Sequence, residues 1–221
     1  MEETEMARIK LYDPATESDS SIADLVAAAD AAMAVGTAVL TGTAGDDKIR
    51  GTSGNDQIFG LGGDDELRGK RGDDLVDGGD GNDRVRGDGG NDLVHGGSGN
   101  DRALGKAGHD VVHGDGGNDR VRGGKGDDTV YGDTGNDHIW GNLGNDVLVF
   151  APGDGRDKVH DFVSGADVVD LTAHGITDIN DVLGNITVFN VNDSLLTLAS
   201  GDQIIFDNLL PGSFDAADFL I

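Results

Sequence analysis

Apolar positions in the middle of this chain recur every nine residues. They fall at Ile49, Ile58, Leu67, Val76, Val85, Val94, Ala103, Val112, Val121, Val130, Ile139 and Leu148, with no insertion or deletion. A lone aliphatic with one residue of variable character on each side predicts a three-residue strand. Side chains alternate faces along a strand, so the aliphatic points inward and its two neighbours outward. The other six residues of each unit must reverse the chain. They carry Gly at position 1 (Gly42 to Gly141), Gly at position 4 (Gly45 to Gly144) and Asp at position 6 in all twelve copies. Glycine takes positive φ in such turns at little steric cost.

One aliphatic per nine residues is a thin core. Burying it stabilises by about 1.5–3 kcal/mol, whereas ordering nine residues costs roughly 1–2 kcal/mol each for the backbone alone. Something besides apolar burial must hold the repeats. The candidates are Asp47, Asp56, Asp65, Asp74, Asp83, Asp92, Asp101, Asp110, Asp119, Asp128, Asp137 and Asp146. Carboxylates stacked turn on turn repel unless a cation lies between them. Calcium takes six to eight oxygen ligands in a flexible shell, carboxylates and backbone carbonyls included.

The repeat resembles the G-G-x-G-x-D-x-U-x nonapeptide of the RTX (repeats-in-toxin), or hemolysin-type calcium-binding, family. The resemblance implies an all-β fold: a right-handed parallel β-roll (β-helix) of the twelve repeats, two copies per turn. Six turns stacked at strand spacing make a roll roughly 25–30 Å long. It also implies Ca²⁺ as the cofactor, each ion shared by copies i and i+2. The aspartate pairs then run from Asp47/Asp65 and Asp56/Asp74 to Asp128/Asp146, giving about ten ions, with weaker sites at the ends. Position 2 departs from the motif: only Gly79, Gly97 and Gly124 keep the glycine, while Leu61, Lys70 and Asp88 do not. That puts equal affinity among sites in doubt. The other reading is an acidic, glycine-rich disordered linker, which is the state expected without calcium.

Charge fits a demand for cations. Asp plus Glu number 42 against 16 Lys plus Arg, a formal net charge of −26. Ten Ca²⁺ would bring this to roughly −6, an ordinary surface value. The balance argues against nucleic-acid binding, which needs a basic footprint. The absence of Cys excludes disulfides and thiolate metal sites. No apolar run approaches the length of a membrane span.

Three regions are expected. Residues 1–40 form a polar tail and a capping helix from about Ile22 to Val35, begun by Ser20 or Ser21 and stopped by Gly36. A mobile tail or a partner-binding helix are the alternatives. The start lacks the basic and apolar regions of a secretory signal peptide. Residues 41–149 form the roll. Residues 150–221 form a β-rich cap. Thr177 to Leu183 reads as a short helix, and Ile186 to Val191, Leu195 to Leu198 and Gln203 to Phe206 read as strands. Phe150 to Thr172 resembles the region after the roll in serralysin-type proteins. Its Asp157, Asp161, Asp167 and Asp170 are read as turn and edge residues or as ligands. The ending Asp218-Phe219-Leu220-Ile221 resembles that of type I secretion substrates, implying export through a type I apparatus and a secreted, extracellular location.

Odd and even copies should lie on opposite sheets. Odd copies point Lys48, Arg50, Arg68, Arg84, Arg86, Arg102, Arg120 and Arg122 outward against one acid, Glu66. This basic face either covers the sheet with arginine stems whose heads sit near the acidic turns, or docks an anionic polysaccharide. Mannuronan epimerase R-modules, which resemble this repeat, accord with polysaccharide attachment. Even copies carry a partly apolar face that includes His95 and His113, two copies apart and read as surface histidines or metal ligands. No H-E-x-x-H or G-x-S-x-G occurs. The expectation is a secreted calcium-binding protein without catalysis that folds on calcium after export. It serves as a binding or structural module for extracellular polysaccharide or, alternatively, as an accessory module of an extracellular enzyme such as an epimerase or protease.

Overall fold

The computed structural model describes residues 36–221, so the helix expected over 22–35 lies outside the described residues. The nine-residue period folds as a parallel β-solenoid. Each copy contributes a short strand, such as Lys48–Arg50, Gln57–Phe59, Glu66–Arg68 and Leu75–Asp77. Odd copies pair with odd and even with even, each strand shifted by two copies, so that Ile49 lies opposite Leu67 and Ile58 opposite Val76. Two ten-stranded sheets result. Position 8 of every copy points between them, and from Ile58 to Leu148 these side chains are at most 1% exposed.

Position 4 shows why the turn demands glycine. Gly99 has φ +138°, and a Cβ there would fall on the carbonyl oxygen of Gly81 one turn below. From Leu61 onward position 2 also takes positive φ, even in Leu61 (77°), Lys70 (90°) and Lys106 (99°). Non-glycine residues thus occupy the left-handed region where the motif has Gly, a local strain that the stacked ladder must offset.

The strict period ends at Val149, but parallel pairing continues. Arg156–Val159 lies beside His138–Leu143, and Val168–Asp170 beside Val147–Val149, each a few residues further along the chain than the strict period would place it. Gln203–Phe206 and Phe219–Leu220 extend the two sheets once more. The strands Ile186–Val188 and Ser194–Thr197 then add antiparallel pairs. A helix, Ile179–Gly184, begins where the Asp178 side chain accepts the Asn180 N–H. Phe162, Phe206, Phe214 and Phe219 pack together, with ring centroids 4.9–5.8 Å apart. At the opposite end, Val39–Thr41 forms an extra strand before the first copy, with Ala38 where a repeat carries its aspartate.

Candidate calcium-binding column

Each aspartate at position 6 reaches back one turn. Oδ1 of Asp65 accepts the backbone N–H of Asp47 at 2.7 Å. The same bond recurs at every step to Asp146, whose Oδ1 accepts the Asp128 N–H, always at 2.7–2.9 Å. Rigid turns stacked in register make the geometry identical from copy to copy. The aspartates are therefore buried in two columns, one along each edge of the roll, and from Asp56 to Asp146 they are at most 3% exposed.

The second oxygen has no such partner. Oδ2 of Asp65, Asp74, Asp83, Asp92, Asp101, Asp110, Asp119, Asp128, Asp137 and Asp146 is buried and accepts no hydrogen bond. The ion pairs Lys48–Glu66, Arg68–Asp88 and Lys158–Asp207 all involve acids outside the columns. A buried carboxylate oxygen left alone costs several kcal/mol. Its surroundings show what it suits. The space above Gly96 Cα, where a side chain would begin, is lined by Asp101 Oδ2 at 2.9 Å and the Gly114 carbonyl oxygen at 2.6 Å. Above Gly114 it is lined by Asp119 Oδ2 at 2.8 Å and the Gly132 carbonyl at 2.5 Å. Glycine at position 1 thus keeps open a cradle of hard oxygens from two successive turns, the donor set that Ca²⁺ prefers. When bound there, Ca²⁺ supplies the positive charge these oxygens lack.

Asp47 and Asp56 differ. Oδ2 of Asp47 accepts the Thr43 N–H at 2.6 Å and the Thr43 hydroxyl at 2.9 Å. Thr52 serves Asp56 in the same way. Threonine at position 2 therefore satisfies the first two carboxylates internally. The twelve aspartates divide into ten with an unpartnered oxygen and two without.

Burial without countercharge pushes the column acids up. Desolvation, helped by neighbouring aspartates, raises Asp65, Asp101 and Asp146 to about 6, Asp74, Asp92 and Asp128 to about 7, and Asp119 to about 8. Hydrogen bonds from the preceding aspartate's amide pull the other way and lose. Without cations the folded column binds protons more readily than the unfolded chain does.

Two further aspartates join the columns. Asp157 Oδ1 accepts the Asp137 N–H at 3.0 Å, and Asp167 Oδ1 accepts the Asp146 N–H at 3.1 Å. Both are buried. Their signal in the sequence is the half-motif G-x-D-x-U, in Gly155 to Val159 and Gly165 to Val169. Asp161 instead accepts bonds from Gly141 and Asn142, and Asp170 from Thr172, so these two are turn residues.

No curated protein matches the chain. Similar solved structures include the extracellular lipase of Serratia marcescens, at 17% identity and TM-score 0.39, covering 85% of this chain and 40% of that one. Another is a subunit of the Azotobacter vinelandii mannuronan C5-epimerase, at 21% identity and TM-score 0.30, covering 81% and 80%. The chain thus spans less than half the length of the lipase it resembles. The family model of the RTX calcium-binding nonapeptide repeat matches five segments, 36–67, 59–94, 95–130, 113–148 and 122–159. These cover more than half of the 221 residues, and the ten unpartnered carboxylate oxygens recur at the spacing of that repeat. The chain is a member of the RTX calcium-binding repeat family.

Proposed function

We propose that this chain is a secreted, non-catalytic module that folds around about ten Ca²⁺ after leaving the cell through a type I exporter. The observation that carries this reading is the set of ten buried, unpartnered Oδ2 atoms, with those of Asp65, Asp74, Asp83, Asp101 and Asp119 beside a carbonyl of the next turn. In a low-calcium cytosol their mutual repulsion and desolvation keep the chain open and able to thread an exporter. Outside, calcium binds only the stacked form and stabilises it by mass action. The segment from Asp218 to Ile221 accords with this order of events. Asp218 and Phe219 are buried, and Phe219–Leu220 pairs with Val169–Asp170. An exporter could therefore read that segment only before the roll closes. Calcium-dependent release from an exporting cell tests this. Deleting residues 218–221 should retain the chain inside, and equal release of the truncated chain would reject the export step.

The Arg-rich sheet supports anionic polysaccharide as the extracellular partner. Arg84, Arg102 and Arg120 stand directly opposite one another along the ladder, exposed, and make no ion pair among the described residues. Like charges in register are destabilising, and an anionic chain laid along the sheet relieves that cost. Charge rather than sugar stacking carries the reading. The ring of Trp140, the exposed face's one tryptophan, packs against Arg122 at 4.2 Å and against His160 at 4.2 Å. Retention on an acidic polysaccharide should fall at least tenfold in an Arg84→Ser, Arg102→Ser, Arg120→Ser variant, and unchanged retention would reject the partner while leaving calcium-driven folding intact.

A further inference from the structure

The opposite sheet carries a second kind of cluster. His95 and His113 occupy register-matched positions on adjacent strands. Their rings stack with centroids 4.7 Å apart and planes 8° from parallel, and Tyr131 continues the stack onto His113 at 4.1 Å. His113 is thus held from both sides. Each imidazole is also held at Nδ1 by a carboxylate from the following turn. Asp115 contacts His95 Nδ1 at 3.1 Å, and Asp133 contacts His113 Nδ1 at 2.9 Å. The same Asp115 carboxylate accepts the Gly97 N–H at 3.2 Å, and Asp133 accepts the Asp115 N–H at 3.3 Å. Asp115 lies two residues beyond His113, with φ +66°, and its contact with His95 places its carboxylate on the face that carries the two rings.

We propose that His95, His113 and Asp115 form a separate site for a borderline divalent cation of the Zn²⁺, Ni²⁺ or Cu²⁺ class. One ligand atom from each residue lies within 4.8 Å of the other two. Donors at bond lengths of about 2.0–2.1 Å around a tetrahedral ion sit about 3.4 Å apart. An ion binds in the plane of each imidazole it joins, so at least one ring must turn out of the parallel stack, and the Asp115 bond to His95 Nδ1 must open, for the three donors to close on it. Imidazole nitrogen selects this class over calcium, which takes oxygen. A carboxylate on the second ring nitrogen, as Asp133 is on His113, is the arrangement that fixes tautomer and orientation in histidine metal sites. The cluster is only partly exposed, His95 at 30% and His113 at 21% of their side-chain surfaces. Its nitrogen donors set it apart from the all-oxygen aspartate columns, although Asp115 follows Gly114, whose carbonyl lines the Asp101 cradle. The other histidine pair offers a control. His138 Nδ1 and His160 Nε2 bond directly to each other at 2.7 Å, and His160 Nδ1 bonds Asp207, which leaves no gap for an ion.

The test titrates the full-length chain, saturated with calcium, with Zn²⁺ by calorimetry and with Cu²⁺ by electron paramagnetic resonance. One additional ion per chain is expected, with coupling to two imidazole nitrogens. His95→Gln with His113→Gln should weaken that binding at least tenfold, and His138→Gln with His160→Gln should leave it unchanged. Asp115→Asn keeps both rings and their stack, so it tests the site independently of packing, and it should cost about ten- to a hundredfold in affinity. The proposal is overturned if no ion binds with nitrogen coupling, if the His95/His113 variant binds as the parent does, or if loss follows the His138/His160 pair.

Discussion

Replacing one aspartate in the middle of a column should have opposite effects with and without calcium. Take Asp101→Asn. The amide oxygen can still accept the Asp83 N–H now bound by Oδ1 at 2.7 Å. The unpartnered Oδ2 becomes an N–H donor beside the Gly114 carbonyl. In calcium the change weakens the two ion positions that Asp101 serves, one towards Asp83 and one towards Asp119. A site held at about a hundredfold above its dissociation constant contributes about 2.7 kcal/mol, so losing most of two costs roughly 3–5 kcal/mol, comparable to the whole stability of a small domain. In chelator the sign reverses. Burial raises Asp101 to about 6 from its ordinary value of 3.8. At neutral pH that mismatch destabilises the ion-free roll by about 3 kcal/mol, and asparagine removes it. Urea unfolding followed by far-ultraviolet circular dichroism in saturating calcium reads the first sign, and folding of the ion-free chain by a stabilising osmolyte in chelator reads the second. Calcium-independent destabilisation, or none in calcium, would refute the reasoning.

Other expectations follow from the same geometry. Gly99→Ala places a methyl group on the Gly81 carbonyl at φ +138° and should cost roughly 3 kcal/mol or more in calcium-saturated urea unfolding. Gly165→Ala has the strain of φ +80° but open space, and should cost only about 1 kcal/mol. Acid should partly rescue the roll in chelator. Burial raises Asp65, Asp74 and Asp119 to about 6, 7 and 8 when folded, against near 4 when unfolded, so ion-free stability is greatest below about pH 4 and falls as pH rises through that window. Circular dichroism in chelator across pH should show strand signal lost on alkalinisation, and a flat profile would contradict it. Asp157→Asn should lower the calcium stoichiometry by calorimetry if Asp157 serves as a thirteenth ligand, whereas Asp161→Asn should leave it unchanged.

Much of the fold was legible because the repeat is strictly phased. One aliphatic per nine residues, Gly at positions 1 and 4 and Asp at position 6 left one way to stack, and the strands fall where that phase put them. The columns were also legible, since in-register turns bring Asp47, Asp65 and Asp83 to one edge. What was hidden depended on atoms rather than period. Nothing in the spacing says that Oδ1 is used by the turn below while Oδ2 stays empty, or that Thr43 and Thr52 satisfy the first two carboxylates. Asp157 and Asp167 fell out of phase because short insertions lengthen the step between paired strands there. The C-terminal elements came out close to expectation, at Ile179–Gly184 for the helix and Gln203–Phe206 for the last of the three strands. The helix begins two residues later than expected, where Asp178 caps it, and the first strand ends at Val188, before the turn in which the Asp193 carbonyl accepts the Phe189 N–H. The basic face was readable as composition, but the sandwiching of Trp140 between Arg122 and His160 needs three turns in register.

Calcium titration of the ion-free chain, followed by far-ultraviolet circular dichroism with magnesium as a control, tests the central claim most directly. The account predicts an unfolded spectrum at neutral pH in chelator and a cooperative gain of strand signal with calcium, reversed by chelation. A roll that is fully formed in chelator would contradict it.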